Sequence, residues 1–145
     1  MVKATCDFDG VFVEHPLSFD RRFIVDLEKE VDDWKKNRLN FLQQKPIKRT
    51  MRILSFFDEK HIVTGRPPYE KEQVEQWFKI NNIDIKSIST RYSDESSFEI
   101  IRKYKVEKIK EINPDAAFED DIEVLKSLPE SIMKILVKDN EVIIL

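Results

Sequence analysis

Asp7 and Asp9 stand two positions apart, directly after a short β-prone run, and Gly10 follows them. A turn at Gly10 would let both carboxylates reach one place, with backbone N–H groups facing an anion. Close carboxylates repel each other, and a divalent cation or a shared proton relieves that repulsion. Mg²⁺ takes one or two carboxylates, keeps water ligands and bridges to phosphate. The pair therefore indicates metal-assisted or acid–base chemistry on an anionic group.

Further polar groups follow other short apolar runs. Thr64 offers a hydroxyl and an N–H after one such run, and Asp120 and Asp121 follow another. Lys105 adds a positive point charge. Each feature alone has an ordinary explanation, because acids gather at helix N-termini and lysines cover helix surfaces. Their combination and order carry more weight than any one of them.

The elements that would position these groups alternate along the chain. Strands are predicted at Val2–Cys6, His61–Thr64, Ile85–Ser89 and Ala116–Phe118. Helices are predicted at Ile47–Phe57, from Pro67 or Pro68 to Phe78, at Ser93–Ile112 and at Ile122–Leu128. Ile132–Val137 and Glu141–Leu145 read as a terminal hairpin turning at Asp139 and Asn140. This alternation predicts an α/β fold with three Rossmann-like layers and a mostly parallel central sheet. The carboxyl ends of its strands would gather the polar groups in one crevice.

Residues 1–145 are predicted to form one domain, because a chain of this length has room for a single core. A helical pattern between Ser18 and Gln44 ends at Pro46, so we expect a small helical insertion after the first strand, at about 17–46. The formal charge is −3, which argues against a globally basic nucleic-acid binder. A single cysteine and the lack of a long apolar run predict a cytoplasmic protein that has no membrane partner.

Four segments, in this order, resemble the four motifs of the haloacid dehalogenase (HAD) superfamily phosphatases. They are Cys6–Val11, Ile62–Pro67, Lys105 and Phe118–Asp121. The likeness extends from Val2 to Leu128. The third motif is a lone lysine and is unspecific. The resemblance implies a Mg²⁺-dependent phosphohydrolase with the α/β fold predicted above.

The resemblance also implies roles for the acids. Asp7 would be the nucleophile that forms an aspartyl-phosphate, and Asp9 would be the general acid and then the general base. Mg²⁺ would be held by the Asp7 side chain, the Asp9 backbone carbonyl and an acid of the fourth motif. Asp120 is the preferred ligand from that motif and Asp121 the alternative.

The remaining site residues would hold the substrate. Thr64 and Lys105 would bind the phosphoryl oxygens, with Lys108 as the alternative lysine. Gly10 and Gly65 would let the backbone approach the substrate. Arg66 would either contact the substrate or pair with a nearby carboxylate, and the sequence does not separate these two possibilities.

The segment between the first two motifs is too short for a large cap, so an open crevice is expected. Seven basic residues and no acid occur from position 34 to position 57: Lys35, Lys36, Arg38, Lys45, Lys48, Arg49 and Arg52. They could form a rim for a polyanion, or they could be the basic end of a helix that satisfies its own dipole.

The substrate is predicted to be a phosphorylated nucleotide or a nucleic-acid 3′-phosphate end. Segments 64–67 and 75–78 are locally similar to polynucleotide 3′-phosphatases and nucleotidases of the superfamily, which places these substrates first. The alternatives are a phosphatase of small sugar or metabolite phosphates and a catalytically silent scaffold on the same fold. The sequence assigns no oligomeric state.

Overall fold

A computed structural model describes residues 1–13, 42, 44–91, 97–138 and 141–145 of the chain. Its centre is a six-stranded sheet in the order β3-β2-β1-β4-β5-β6. The strands are β1 (Lys3–Cys6), β2 (Glu59–Val63), β3 (Ser87–Ser89), β4 (Ala116–Glu119), β5 (Met133–Lys138) and β6 (Glu141–Ile144). All neighbouring strands pair in parallel except β5 and β6, which are antiparallel.

Alternating side chains divide the strands between two apolar cores. In β4, Ala116 and Phe118 belong to one core and Ala117 to the other, as expected from the two-residue period of a strand. In β5, Val137 faces the first core and Leu136 the second. A sheet that is apolar on both faces must be covered on both sides, which gives the fold its three layers.

Four α-helices lie among the described residues: α1 (Lys48–Leu54), α2 (Lys71–Ile80), α3 (Phe98–Ile112) and α4 (Ile122–Lys126). A 3₁₀ turn at Pro68–Glu70 leads into α2. Helices α1 and α2 supply buried side chains to the first core, and α3 and α4 supply them to the second. None of the helices in the described ranges has the length and apolar character needed to span a membrane.

An aromatic cluster under the loop after β1 anchors that loop to the first core. Phe8, Phe12, Trp77 and Phe78 are at most 1% exposed and pack mainly edge to face, with ring centroids 4.9–6.5 Å apart. Such rings bury large apolar areas in a defined geometry. The loop that carries Asp7 and Asp9 therefore rests on a rigid support.

The predicted α/β class, the mostly parallel sheet and the antiparallel terminal pair are confirmed. Helix α1 begins one residue later than expected because Ile47 is extended (φ −74°, ψ 107°), and it ends at Leu54, where residues 55–56 form a turn. Helix α3 begins at Phe98, where the Ser97 hydroxyl accepts a hydrogen bond from the Ile100 N–H, and ends at Asn113 (φ 52°). The Asp139–Asn140 turn, residues 93–96 of the predicted helix and most of the expected insertion (all but 42 and 44–46) lie outside the described residues.

Candidate active site

The loop after β1 folds back on itself to present two aspartates. The Phe8 carbonyl accepts hydrogen bonds from the Phe12 N–H (2.9 Å) and the Val13 N–H (3.3 Å), and the Gly10 N–H donates to the Val13 carbonyl (2.7 Å). Gly10 has a φ of +84°, and a Cβ there would collide with the Asp120 carboxylate. Only glycine meets both demands, so the tight turn places the loop directly against the end of β4.

Asp7 and Lys105 form the centre of a buried charge cluster. Lys105 Nζ lies 3.0 Å from Asp7 Oδ2 and 3.2 Å from Glu119 Oε1, and all three residues are buried. The other Asp7 oxygen, Oδ1, accepts a hydrogen bond from the Phe8 N–H (2.8 Å). Lys105 reaches the cluster from α3, Asp7 follows β1, and Glu119 ends β4.

Glu119 also organises the start of α4. Its Oε1 accepts hydrogen bonds from the backbone N–H groups of Asp120 (3.1 Å) and Asp121 (3.2 Å). This carboxylate therefore binds both the lysine and the backbone that carries the next two acids. Sequence reasoning placed Glu119 in the acidic motif but did not select it as a site residue. Its position in the acidic run was the available signal.

The two acids that follow Glu119 have different surroundings. Asp120 directs a carboxylate toward Asp7 and Glu119. Asp121 Oδ1 caps α4 by accepting the Glu123 N–H (3.1 Å), and its Oδ2 lies 2.7 Å from Arg102 Nε. Asp121 is thus bonded to Arg102 and to the backbone of α4 and is not one of the three clustered carboxylates, whereas Asp120 is.

Charge in this cluster is unbalanced. Burial, together with the nearby Asp7 carboxylate, raises the pKa of Asp120 to about 7. Burial also raises the pKa of Glu119 well above its ordinary value, and the negative charge of Asp7 contributes to this rise. Burial opposes the charge on Lys105, but the carboxylates of Asp7 and Glu119 outweigh it, so the pKa of the lysine is raised. One ammonium thus faces three carboxylates.

This donor set fits a divalent cation. Asp7, Glu119 and Asp120 each offer a carboxylate oxygen, and these atoms lie within 4.8 Å of one another. Hard cations such as Mg²⁺ and Ca²⁺ bind carboxylate oxygens, and a bound cation would offset the negative charge that one lysine leaves unbalanced. The cluster can therefore hold a metal ion, and its chemistry restricts the choice to an oxygen-preferring one.

Asp9 forms an ion pair outside this cluster. Arg66 donates two hydrogen bonds to its carboxylate, Nε to Oδ2 at 2.9 Å and Nη2 to Oδ1 at 2.8 Å. Arg66 is 2% exposed, lies over the Phe8 ring and has Glu70 Oε2 at 3.8 Å from its Nη1. Burial opposes the guanidinium charge, but the bond to Asp9 and the nearby carboxylates raise the Arg66 pKa. Of the two possibilities for Arg66, the structure shows the carboxylate pair.

Thr64 and Gly65 occupy the end of β2, beside the end of β1. The buried Thr64 hydroxyl accepts a hydrogen bond from the Arg66 N–H (3.2 Å). The Gly65 carbonyl accepts one from Arg91 Nη1 (2.8 Å). A Cβ on Gly65 would lie 2.8 Å from Ile101 Cγ2 and 3.7 Å from Lys105 Cε. Gly65 thus permits the close approach of α3 that delivers Lys105.

The structure brings most of the expected residues to one edge of the sheet. Asp7, Lys105 and Asp120 share one cluster with Glu119, and Asp9 and Arg66 form the adjoining pair. Lys108, the alternative lysine, instead approaches Glu111 at 3.4 Å on the helix surface. Gly10 and Gly65 both stand at close approaches between elements. The catalytic, metal-binding and substrate-binding roles of all these residues remain predictions.

Comparison with known proteins gives a likeness of fold. No family model and no curated protein matches the sequence. A chain from the structure of the Pnkp1/Rnl/Hen1 RNA repair complex aligns with a TM-score of 0.64 at 17% identity, over 95% of this chain and 43% of that one. A chain from a structure of the Pnkp1/Rnl/Hen1 complex aligns with a TM-score of 0.61 at 16% identity, over 94% and 47%. This chain therefore spans less than half the length of either neighbour.

Proposed function

We propose that this chain is a HAD-type phosphomonoester hydrolase that depends on Mg²⁺ and forms an aspartyl-phosphate at Asp7. The observation that carries the proposal is the position of Asp7, whose Oδ2 lies 3.0 Å from the Lys105 ammonium within a cluster of buried carboxylates. Residues 1–145 would form one hydrolase domain with a helical insertion at about 17–46. The predicted order of motifs agrees with this geometry.

The chemistry would proceed in two displacements. In the first, an Asp7 carboxylate oxygen bonds to phosphorus while the ester P–O bond breaks, and the Asp9 carboxyl gives its proton to the leaving oxygen. In the second, Asp9 takes a proton from water, the water oxygen bonds to phosphorus, and the bond between phosphorus and Asp7 breaks. Free phosphate leaves, and both aspartates return to their starting forms.

The neighbouring residues would position these two aspartates. Lys105 holds the Asp7 carboxylate and offers positive charge to the phosphoryl oxygens. Arg66 fixes the Asp9 side chain at both oxygens and favours its ionised form, so Asp9 would have to gain a proton against this pair before the first displacement. The Thr64 hydroxyl would contact the phosphoryl group, whereas the Gly10 N–H, which was predicted to help, already donates to the Val13 carbonyl.

The metal would be held by Asp7 and Asp120, with Glu119 beside them and the Asp9 backbone carbonyl as the predicted further ligand. When bound, Mg²⁺ would supply positive charge that offsets the repulsion between the acidic cluster and a phosphate dianion. In its absence, burial and the Asp7 carboxylate raise the pKa of Asp120.

The proposed substrate is a nucleotide or a nucleic-acid 3′-phosphate end. The fold likeness to chains of an RNA repair complex supports a substrate related to nucleic acid, although the two neighbours share only 16–17% of their residues with this chain. Small sugar or metabolite phosphates are the competing substrate class.

Phosphate release across a substrate panel tests the proposal. The panel contains sugar phosphates, 3′- and 5′-nucleotides and 3′-phosphorylated oligonucleotides, each with Mg²⁺ or with EDTA. We expect Mg²⁺-dependent release by the wild type and none above background by Asp7→Asn, which retains the side-chain shape. Lys108→Gln is the matched control and should keep wild-type rates. No release from any substrate by a protein that binds Mg²⁺ would favour a silent scaffold.

A further inference from the structure

The basic side chains at and before α1 form a surface that the proposed catalytic steps do not use. We call Lys45, Lys48, Arg49 and Arg52 the basic α1 surface. All four are exposed, and no acid occurs between positions 44 and 57. No carboxylate of the described residues lies within ion-pair distance of Lys45, Lys48 or Arg52. The positive charge of these three side chains is thus directed to solvent.

The helix dipole accounts for Arg52 but not for the basic residues at the start of α1. Arg52 lies in the last turn, where a cation stabilises a helix, whereas Lys48 and Arg49 occupy the first turn. That turn contains no acid, and no side chain caps it. Lys48 and Arg52 are also four residues apart, a spacing at which like charges destabilise a helix. The chain keeps cations where local stability disfavours them, which indicates a partner that carries negative charge.

The basic α1 surface lies beside the candidate active site. The Ile47 N–H, between Lys45 and Lys48, donates to the Phe12 carbonyl at 2.8 Å. Phe12 belongs to the loop that carries Asp7 and Asp9. The Gln44 carbonyl accepts from Trp77 Nε1 at 3.0 Å, and Trp77 packs on Phe8 in that same loop. These contacts fix the start of the basic surface against the loop that carries Asp7 and Asp9.

We propose that the basic α1 surface binds the phosphodiester backbone of a polynucleotide strand whose terminal phosphate enters the site at Asp7. This inference rests on the proposed phosphatase function and names its substrate class. A strand that presents one phosphate to Asp7 has a row of further phosphates next to it, and a row of cations matches that row. A mononucleotide or a sugar phosphate has no such row of phosphates.

The test compares a charge-neutralised surface with a matched control. The test variant is Lys45→Gln/Lys48→Gln/Arg52→Gln. The control, Lys79→Gln/Lys86→Gln/Lys110→Gln, removes three exposed positive charges near the amino-terminal edge of the sheet. Both variants change only exposed side chains, so both should melt within a few degrees of the wild type.

Binding is measured by fluorescence anisotropy with a short single-stranded RNA that lacks a terminal phosphate, and this measurement needs no turnover. We expect the test variant to bind at least about tenfold more weakly at low salt, and the slope of log K against log salt to fall by about 2, since each lost contact to a single strand removes about 0.7. The control should match the wild type. Equal weakening in both variants, or equal competition by polyglutamate, would overturn the proposal in favour of a general polyanion effect.

Kinetics separates this inference from the function on which it rests. With a 3′-phosphorylated RNA, KM should rise at least about tenfold in the test variant, and with a 3′-mononucleotide it should stay unchanged. If phosphate is released but KM changes equally for both substrates, the proposed role of the basic α1 surface is contradicted and the proposed phosphatase activity is not. If RNA binding depends on the basic α1 surface but no phosphate is released, the proposed phosphatase activity is contradicted and the proposed RNA-binding surface is not.

Discussion

At the scale of single residues, Asp120 and Asp121 show how neighbours in the sequence acquire different tasks. Asp120 lies in the cluster with Asp7 and Glu119. Asp121 caps α4 and accepts a hydrogen bond from Arg102, and this bond raises the pKa of Arg102. The sequence predicted either acid as a metal ligand. In the structure they have different partners, and only Asp120 lies beside the other clustered carboxylates.

Substitution of these two acids should therefore affect metal binding unequally. We expect Asp120→Asn to weaken Mg²⁺ binding at least tenfold, because it removes a carboxylate from the cluster. Asp121→Asn should leave Mg²⁺ affinity near the wild-type value and change the free energy of unfolding by less than about 1 kcal/mol, because asparagine caps a helix about as well as aspartate and the ion pair with Arg102 is partly exposed. Calorimetric titration with Mg²⁺ and urea unfolding measure the two effects. A larger loss of affinity in Asp121→Asn would reverse the assignment.

The stability of the metal-free protein should fall as the pH rises from about 5 to about 7. The Asp120 pKa is about 7 in the folded protein against 3.8 ordinarily, so between these values the folded state binds more protons than the unfolded state. Rising pH therefore favours unfolding, and the raised pKa of Glu119 acts in the same direction. The raised pKa of Lys105 contributes only at alkaline pH.

Thermal unfolding in EDTA at several pH values checks this dependence. Asp120→Asn should flatten the decline and should melt higher than the wild type at pH 7 without metal. Mg²⁺ should stabilise the wild type most at pH 7, where the cluster carries the most negative charge. A metal-free wild type whose stability rises across this interval, or an Asp120→Asn variant with an unchanged slope, would be incompatible with the charge cluster described here.

At the scale of elements, the site depends on how closely α3 approaches β2. Gly65 leaves space for Ile101, one turn before Lys105 on the same helix face. Gly10 serves the contact between the β1 loop and the end of β4 in the same way. The only two glycines in the chain thus stand where elements must meet around Asp7.

Gly65→Ala should displace α3 and Lys105 with it. A new Cβ 2.8 Å from Ile101 Cγ2 forces a shift, and overpacking of this kind costs about 2 kcal/mol. Gly65→Ala should lower both the free energy of unfolding and the rate of phosphate release. In an Ile101→Ala background the same substitution should cost much less, because the atom that it strikes is gone. Urea unfolding of the four proteins measures the coupling, and strictly additive free energies would refute the close-contact explanation.

Much of the fold could be predicted because local patterns and tertiary structure agree. Apolar runs that end at Asp7, Thr64 and Asp120 predicted parallel strands, and parallel strands collect their carboxyl ends at one edge. The Glu119 contacts could not be predicted, since its carboxylate turns back onto the backbone of its own chain. The Arg66 pair with Asp9 also required the structure, because a guanidinium suits a carboxylate and a phosphate equally well.

At the scale of the whole molecule, a formal charge of −3 conceals two regions of opposite sign. Acidic groups are buried between β1, β4 and α3, and exposed basic groups lie across the β1 loop on α1. A metal would neutralise the first region, and a polyanionic substrate would neutralise the second. The two regions are joined by the hydrogen bond between Ile47 and Phe12.

The central claim is that Asp7 accepts the phosphoryl group. The most direct measurement is mass spectrometry of the acid-quenched enzyme during turnover of a 3′-phosphorylated RNA with Mg²⁺, followed by peptide mapping. We predict a phosphoryl group on the peptide that contains Asp7 in the wild type, and none in Asp7→Asn or in EDTA. Steady phosphate release with an unmodified Asp7, or release undiminished in Asp7→Asn, would contradict the account.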